Sequence, residues 1–204
     1  MTRTIQQQLL DAVLKGDIPA ARKALHNGAN INAYDDFGIG LLTEAVFKED
    51  VKMVEFLLDQ GIDREAQCVQ GNTALIWATY YNKTKIAKAI VKKGGDVNHP
   101  DVQNKSPLHF AAGRNNQKLV TFFLAHGAKL DAKDKEGKTP ADIAKQHDYM
   151  DIYRILMRAD AAIDPFKNSK RPDDPHSWSE QRRKFYQSKL GQKRNIPIKR
   201  RNIK

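Results

Sequence analysis

The chain has 204 residues, of which 40% are hydrophobic, and carries 35 Lys and Arg against 24 Asp and Glu. No run approaches the roughly 18 apolar residues of a membrane span, the polar opening Met1-Thr2-Arg3-Thr4 lacks the apolar stretch of a secretory signal, and one cysteine, Cys68, excludes an internal disulfide or a cysteine-rich zinc site. The excess charge is uneven: residues 163–204 hold 13 Lys and Arg against 4 Asp and Glu, residues 1–162 hold 22 against 20, so a nearly neutral body precedes a strongly basic tail in a chain expected to be intracellular.

Residues 4 to 162 repeat themselves. Leu9-Leu10-Asp11-Ala12 is followed at steps of 33 residues by Leu42-Thr43-Glu44-Ala45, Leu75-Ile76-Trp77-Ala78, Leu108-His109-Phe110-Ala111 and Ala141-Asp142-Ile143-Ala144. The first helix of a unit opens at Thr73, Ser106 or Thr139, where a hydroxyl caps free backbone N–H groups. Pro107 and Pro140 then stand at the first helical position, where a missing N–H costs nothing. The recurring Ala12, Ala45, Ala78, Ala111 and Ala144 let neighbouring helices approach closely. A second helix follows with an i, i+3, i+4 apolar stripe, as in Val54-Leu57-Leu58 and Val120-Phe123-Leu124. Gly28, Gly61, Gly94 and Gly127 supply the left-handed residue that ends it. Gly38, Gly71, Asn104 and Gly137 mark the turn before the next first helix.

A 33-residue period around Ser106-Pro107-Leu108-His109-Phe110-Ala111 is similar to the ankyrin repeat, with its T-P-L-H-x-A core. The resemblance implies an all-α ankyrin-repeat solenoid: helix-turn-helix units joined by short β-hairpin-like turns, with a basic C-terminal extension. The units fall at about 4–36, 37–69, 70–102, 103–135 and 136–162, followed by a linker over 163–176 and a basic tail over 177–204. Three departures stand out. Glu49 occupies the place of Gly16, Asn82 and Asn115. Arg64-Glu65 replaces the Ile31-Asn32, Val97-Asn98 and Leu130-Asp131 of other units, and an arginine at an apolar hairpin position puts that hairpin's packing in doubt. Asp160 falls where the next helix-ending glycine is due, as suits a terminal unit.

Family resemblance also implies which positions meet a partner, namely the turn tips and the inner helix surface. Large side chains gather there in units two and three. The expected partner-binding residues are Phe37, Ile39, Phe47, Lys48, Tyr80, Tyr81, Lys105 and Arg114, since exposed aromatics beside an arginine are the usual makeup of an interface hot spot. His109 is expected to be structural, joining neighbouring units by hydrogen bonds. No strand-linked G-x-G-x-x-G, P-loop, G-x-S-x-G or H-E-x-x-H occurs, and the histidines show no ligand spacing with carboxylates or Cys68. No catalytic residue, metal site or cofactor is expected, and the reading is a non-catalytic, monomeric adaptor.

In the tail, Pro165, Pro172 and Pro175 break the helical pattern, and Ser177 with Glu180 resembles a capping box opening a short helix over 178–190. Lys170 and Arg171, followed by Arg182, Arg183 and Lys184, are similar to a bipartite nuclear localisation signal, and Lys199, Arg200 and Arg201 form a further basic cluster. An import receptor, nucleic acid or an acidic membrane surface are the partners such charge suggests. The competing readings are a nucleic-acid-associated or nuclear-targeted protein dominated by its tail, and, on family habit, a bacterial effector directed at a host cell. The expected compartment is the cytoplasm, or the nucleus if the tail is an address.

Overall fold

The structure is a computed structural model, and it describes residues 3–35 and 37–163. The chain divides into two compact units, Met1–Ala159 and Asp160–Lys204. The described residues form ten helices: α1 (Ile5–Lys15), α2 (Ile18–His26), α3 (Leu41–Phe47), α4 (Val51–Asp59), α5 (Ala74–Tyr80), α6 (Thr84–Lys92), α7 (Pro107–Gly113), α8 (Gln117–Ala125), α9 (Pro140–Gln146) and α10 (Met150–Ile163). They follow one another as five pairs, called units one to five below. Among the described residues there is no strand, only an isolated antiparallel bridge between Tyr34 and Gly40.

The odd-numbered helices α1, α3, α5, α7 and α9 pack side by side as an inner row, and α4, α6 and α8 pack behind them. Close approach along the inner row rests on the repeated alanine. Ala12, Ala45, Ala78, Ala111 and Ala144 are all buried, and no larger side chain separates the backbones there. The second helices bury their stripes in the same core: Val54, Leu57 and Leu58 on α4, Ile86, Ala87 and Ile90 on α6, Leu119, Val120 and Phe123 on α8, Ile152 and Leu156 on α10. Each fully buried aliphatic or aromatic side chain stabilises the fold by about 1.5–3 kcal/mol relative to exposure.

Local chemistry sets the helix ends. Thr4 and Gln7 close a capping box on α1, as Thr139 and Asp142 do on α9. Asp17, Asp50 and Asn116 cap α2, α4 and α8, and Thr73 accepts from Ile76 N–H on α5. The link within each pair turns through one left-handed residue: Gly16, Glu49, Asn82, Asn115 and Asp148, with φ of 70°, 57°, 57°, 54° and 57°. Glu49 thus adopts the same turn as its neighbours despite its Cβ, and its carboxylate pairs with Lys83 of the next unit. Asn104, at the turn tip otherwise held by glycine, also has positive φ, 60°. At Asp160 the pattern departs as expected, since α10 continues to Ile163 and has 14 residues against nine in α4, α6 and α8.

The units are joined by a ladder of side-chain acceptors. Asn32 Oδ1 accepts from Asp63 N–H at 2.9 Å, and Asn98 Oδ1 accepts from Lys129 N–H at 2.8 Å. Glu65 does the same work between them, its Oε1 accepting from Asp96 N–H at 2.7 Å. A longer acceptor spans the same seam. Its cost is electrostatic, because burial raises the Glu65 carboxyl above its usual pKa, with the Asp96 hydrogen bond and His99 pulling it back. Arg64 is a different matter. Its Nε is buried without a hydrogen-bond partner among the described residues, which costs about 1–3 kcal/mol.

His109 ties unit four to unit five. Its Nδ1 accepts from Ser106 N–H at 3.1 Å, which leaves Nε2–H to donate to Lys138 O at 3.1 Å. Burial holds the imidazole pKa below its ordinary value, against the opposing pull of the Lys138 carbonyl and Asp134. The ring is neutral in the fold, as these two bonds require.

Two outcomes follow. Glu49→Gly removes a left-handed Cβ, and urea unfolding should show a gain of about 0.5–1 kcal/mol after the greater freedom of glycine in the unfolded chain is offset; a loss would mean that the Lys83 pair outweighs the backbone. The unfolded chain protonates its histidine near pH 6.5 while folded His109 resists until lower pH, so this residue's contribution is complete above about 6.5 and fades as pH falls through the depressed folded value. Unfolding free energy measured between pH 7 and 5 should therefore fall less steeply for His109→Gln than for the parent.

Candidate functional site

Positions 33 residues apart stand above one another on successive units, so the inner face reads as rows. One row is Leu14, Phe47, Tyr80, Gly113 and Gln146; the next is Lys15, Lys48, Tyr81, Arg114 and His147; a third is Glu44, Trp77, Phe110 and Ile143. Where the rows cross units two to four they bring aromatic rings together. Phe47 meets Trp77 edge-on at 5.5 Å and Tyr81 at 5.9 Å, while Trp77 and Tyr81 stack at 5.7 Å with an interplanar angle of 14°. Tyr80 packs edge-on against Tyr81 at 5.1 Å and against Phe110 at 6.2 Å. The guanidinium of Arg114 lies 3.7 Å above the Tyr80 ring. Edge-to-face pairs are worth about 0.5–1.5 kcal/mol each, so the cluster is held in place by its own contacts.

The cluster is also open to solvent. Phe47 is 38% exposed, Tyr80 37% and Tyr81 48%. Packing explains part of each ring, and the remainder is surface. Of the other expected residues, Phe37 is 80% exposed at its turn tip, Lys48 and Arg114 are exposed, and Ile39 and Lys105 are half-buried. Asp36 and the basic residues Lys170, Arg171, Arg182, Arg183, Lys184, Lys199, Arg200 and Arg201 lie outside the described residues, as do the linker and the helix expected over 178–190.

Two grooves flank the Phe37–Ile39 turn tip. One, of about 250 Å³, runs toward unit three between Phe37, Phe47, Val69 and Trp77, with Cys68 in its wall. The other, of about 420 Å³, runs toward unit one between Phe37, Leu10, Leu14 and Glu44. Glu44 is acidic but reluctant to ionise: burial raises its pKa, and the neighbouring Asp35 carboxylate and a hydrogen bond shared with it raise it further.

Trp77 and Phe110 complete the patch and were not among the residues expected from sequence. Each lies three residues before a recognised inner-face position, Tyr80 and Gly113, so the helical period was the signal that points to them. Trp77 is half-buried, and its Nε1 has no hydrogen-bond partner among the described residues. Unit three differs again at its turn. Asp35, Asp101 and Asp134 each accept from the N–H groups two and four residues on, between 2.7 and 2.9 Å. Cys68 stands in that place in unit three and cannot do so. Among the described residues, no group of three or more His, Cys, Asp or Glu side chains is placed to hold a metal ion. No helix among them is long and apolar enough to cross a membrane.

A family model described as ankyrin repeats (3 copies) matches residues 9–101 and again 95–168. A comparison with curated proteins gives no match.

Cys68→Asp should restore the two turn hydrogen bonds of unit three and raise stability by about 1 kcal/mol, measured as a shift in the denaturation midpoint at constant slope. An unchanged or lowered midpoint would mean that the apolar groove wall tolerates no charge at this position.

Proposed function

The chain belongs to the ankyrin-repeat family, whose members are generally protein-interaction modules and typically non-catalytic, and we propose that it is a non-catalytic adaptor binding a protein partner through its inner face and turn tips. The observation that carries this reading is the aromatic cluster of Phe47, Trp77, Tyr80, Tyr81 and Phe110 with Arg114 over Tyr80. Large rings left one-third to one-half exposed on adjoining helices, beside a guanidinium, have the composition and clustering of a binding hot spot. A helix surface fixed by close packing loses little conformational entropy when it binds. Phe37, Ile39 and Lys48 extend the contact toward unit two, and Lys105 extends it toward unit five.

The basic tail serves as a second contact or as an address to the nucleus, and its charge, 13 Lys and Arg against 4 Asp and Glu over residues 163–204, supports either role. The adaptor works as a monomer in the cytoplasm, and in the nucleus if Lys170, Arg171 and Arg182 to Lys184 are read by an import receptor.

Affinity capture with the full chain, and with Tyr81→Ala and Arg114→Ala, tests the leading reading in nuclease-treated lysate. Proteins that depend on the inner face should fall by about tenfold or more in each variant, since hot-spot truncations cost 2 kcal/mol or above. Capture that survives both substitutions but disappears when the basic residues at 182–184 become glutamine would transfer the function to the tail.

A further inference from the structure

Three surface rows on the inner side of the stack change character along its length. Tyr34, Gln67 and Pro100 lead to Lys133; Val69 and Val102 lead to Lys135; Ile39 and Asn72 lead to Lys105 and Lys138. At these positions the chain therefore presents uncharged side chains as far as Val102, and ammonium groups from Lys105 onward. Lys138 is engaged, with Glu136 Oε2 at 2.7 Å and Gln146 Oε1 at 2.8 Å. Lys105, Lys133 and Lys135 have no ion-pair partner among the described residues, and Arg114 lies over the face of Tyr80. The opposite end carries the reverse sign, since Asp35 and Glu44 line the groove toward unit one.

We infer that this surface takes an acidic polypeptide segment of a partner protein, laid along the stack with aromatic or aliphatic side chains against units two and three and Asp or Glu side chains over units four and five. The inference rests on the reading that the inner face binds protein, and names the chemistry of what it binds. Charge complementarity sets the direction. The Asp35 carboxylate disfavours an acidic end placed beside it, while the lysines at 105, 133 and 135 attract it. Adjacent helices sit about 8–10 Å apart, so units two to five are covered by an extended segment of about eight residues. A nucleic acid fits less well. Its charge repeats along its whole length, and it would meet a mostly aromatic middle, with Arg114 already over Tyr80, and the acidic Asp35 and Glu44 at one end.

Random-peptide display on the full chain tests this, with selected peptides then measured against Tyr80→Ala/Tyr81→Ala and against Lys105→Glu/Lys133→Glu/Lys135→Glu. The expected peptides join an aromatic or aliphatic cluster to a run of Asp or Glu, bind more weakly as salt rises, and lose about tenfold or more on the lysine reversal. Lys105→Gln/Lys133→Gln/Lys135→Gln should lose most of the salt dependence with an unchanged melting temperature, which separates lost charge from lost fold. Selected peptides without an acidic run, weakened by the tyrosine pair but not by the lysine reversal, overturn the inference and leave the protein-binding reading standing. Binding indifferent to both sets of substitutions overturns both. Fluorescent poly-uridine bound more tightly than any selected peptide, and lost on the lysine reversal, overturns it in favour of nucleic acid.

Discussion

Helices of seven and nine residues are too short to persist alone in water. Units two to four of this protein are built from such pieces, so their existence depends on the seam with the next unit. Two kinds of interaction make that seam. The alanine row lets the inner helices close upon one another, which buries the flanking leucines, valines and isoleucines. The side-chain acceptors Asn32, Glu65 and Asn98, together with His109, then satisfy backbone groups of the following unit. The first supplies most of the burial energy. The second fixes the register, because a buried N–H left without an acceptor costs about 1–3 kcal/mol. Stability in such an array is a sum of unit and seam contributions.

The inner face inherits its order from those seams. Since each unit repeats the last with a fixed offset, any position on it becomes a row, and side chains of neighbouring rows reach one another across the seam between units. That is how Phe47, Trp77, Tyr81, Tyr80 and Phe110, contributed by three helices, come to touch. Unit three sits at the centre of this surface and leaves polar groups of its own unsatisfied. It has Cys68 where other turns have aspartate, and Trp77 Nε1 and Asn72 Oδ1 are buried without partners among the described residues. The middle of the binding surface is thus its least internally satisfied part, a pattern common where structure gives way to function.

Periodicity and cap chemistry made most of the fold readable beforehand. Thr73 and Thr139 cap helices as their hydroxyls suggest, and Asn104 takes the left-handed turn in place of glycine. Glu65 joins the ladder because side-chain length, rather than residue class, decides whether an acceptor reaches the next unit. The full extent of the aromatic patch was hidden for another reason. Trp77 belongs to the repeated helix stretch and counts as core in a one-dimensional reading, whereas three-dimensional stacking leaves it half-buried beneath Tyr81. The pairing of Asp35 with Glu44, nine residues apart, needs the turn-tip geometry and has no sequence signature.

The acceptor ladder has a consequence for how such a chain can change in length. The seam after unit one and the seam after unit three offer the same chemistry, an asparagine amide oxygen facing the N–H of the residue 31 positions on. A seam of that type is self-compatible: a copied unit would find the acceptor it needs on one side and offer it on the other. Duplication or loss of a whole unit is therefore structurally silent in the interior and audible only on the surface, where every row grows or shrinks by one residue. The seam carried by Glu65 is keyed differently, by a longer and reluctantly charged arm, and at that junction units are not freely interchangeable.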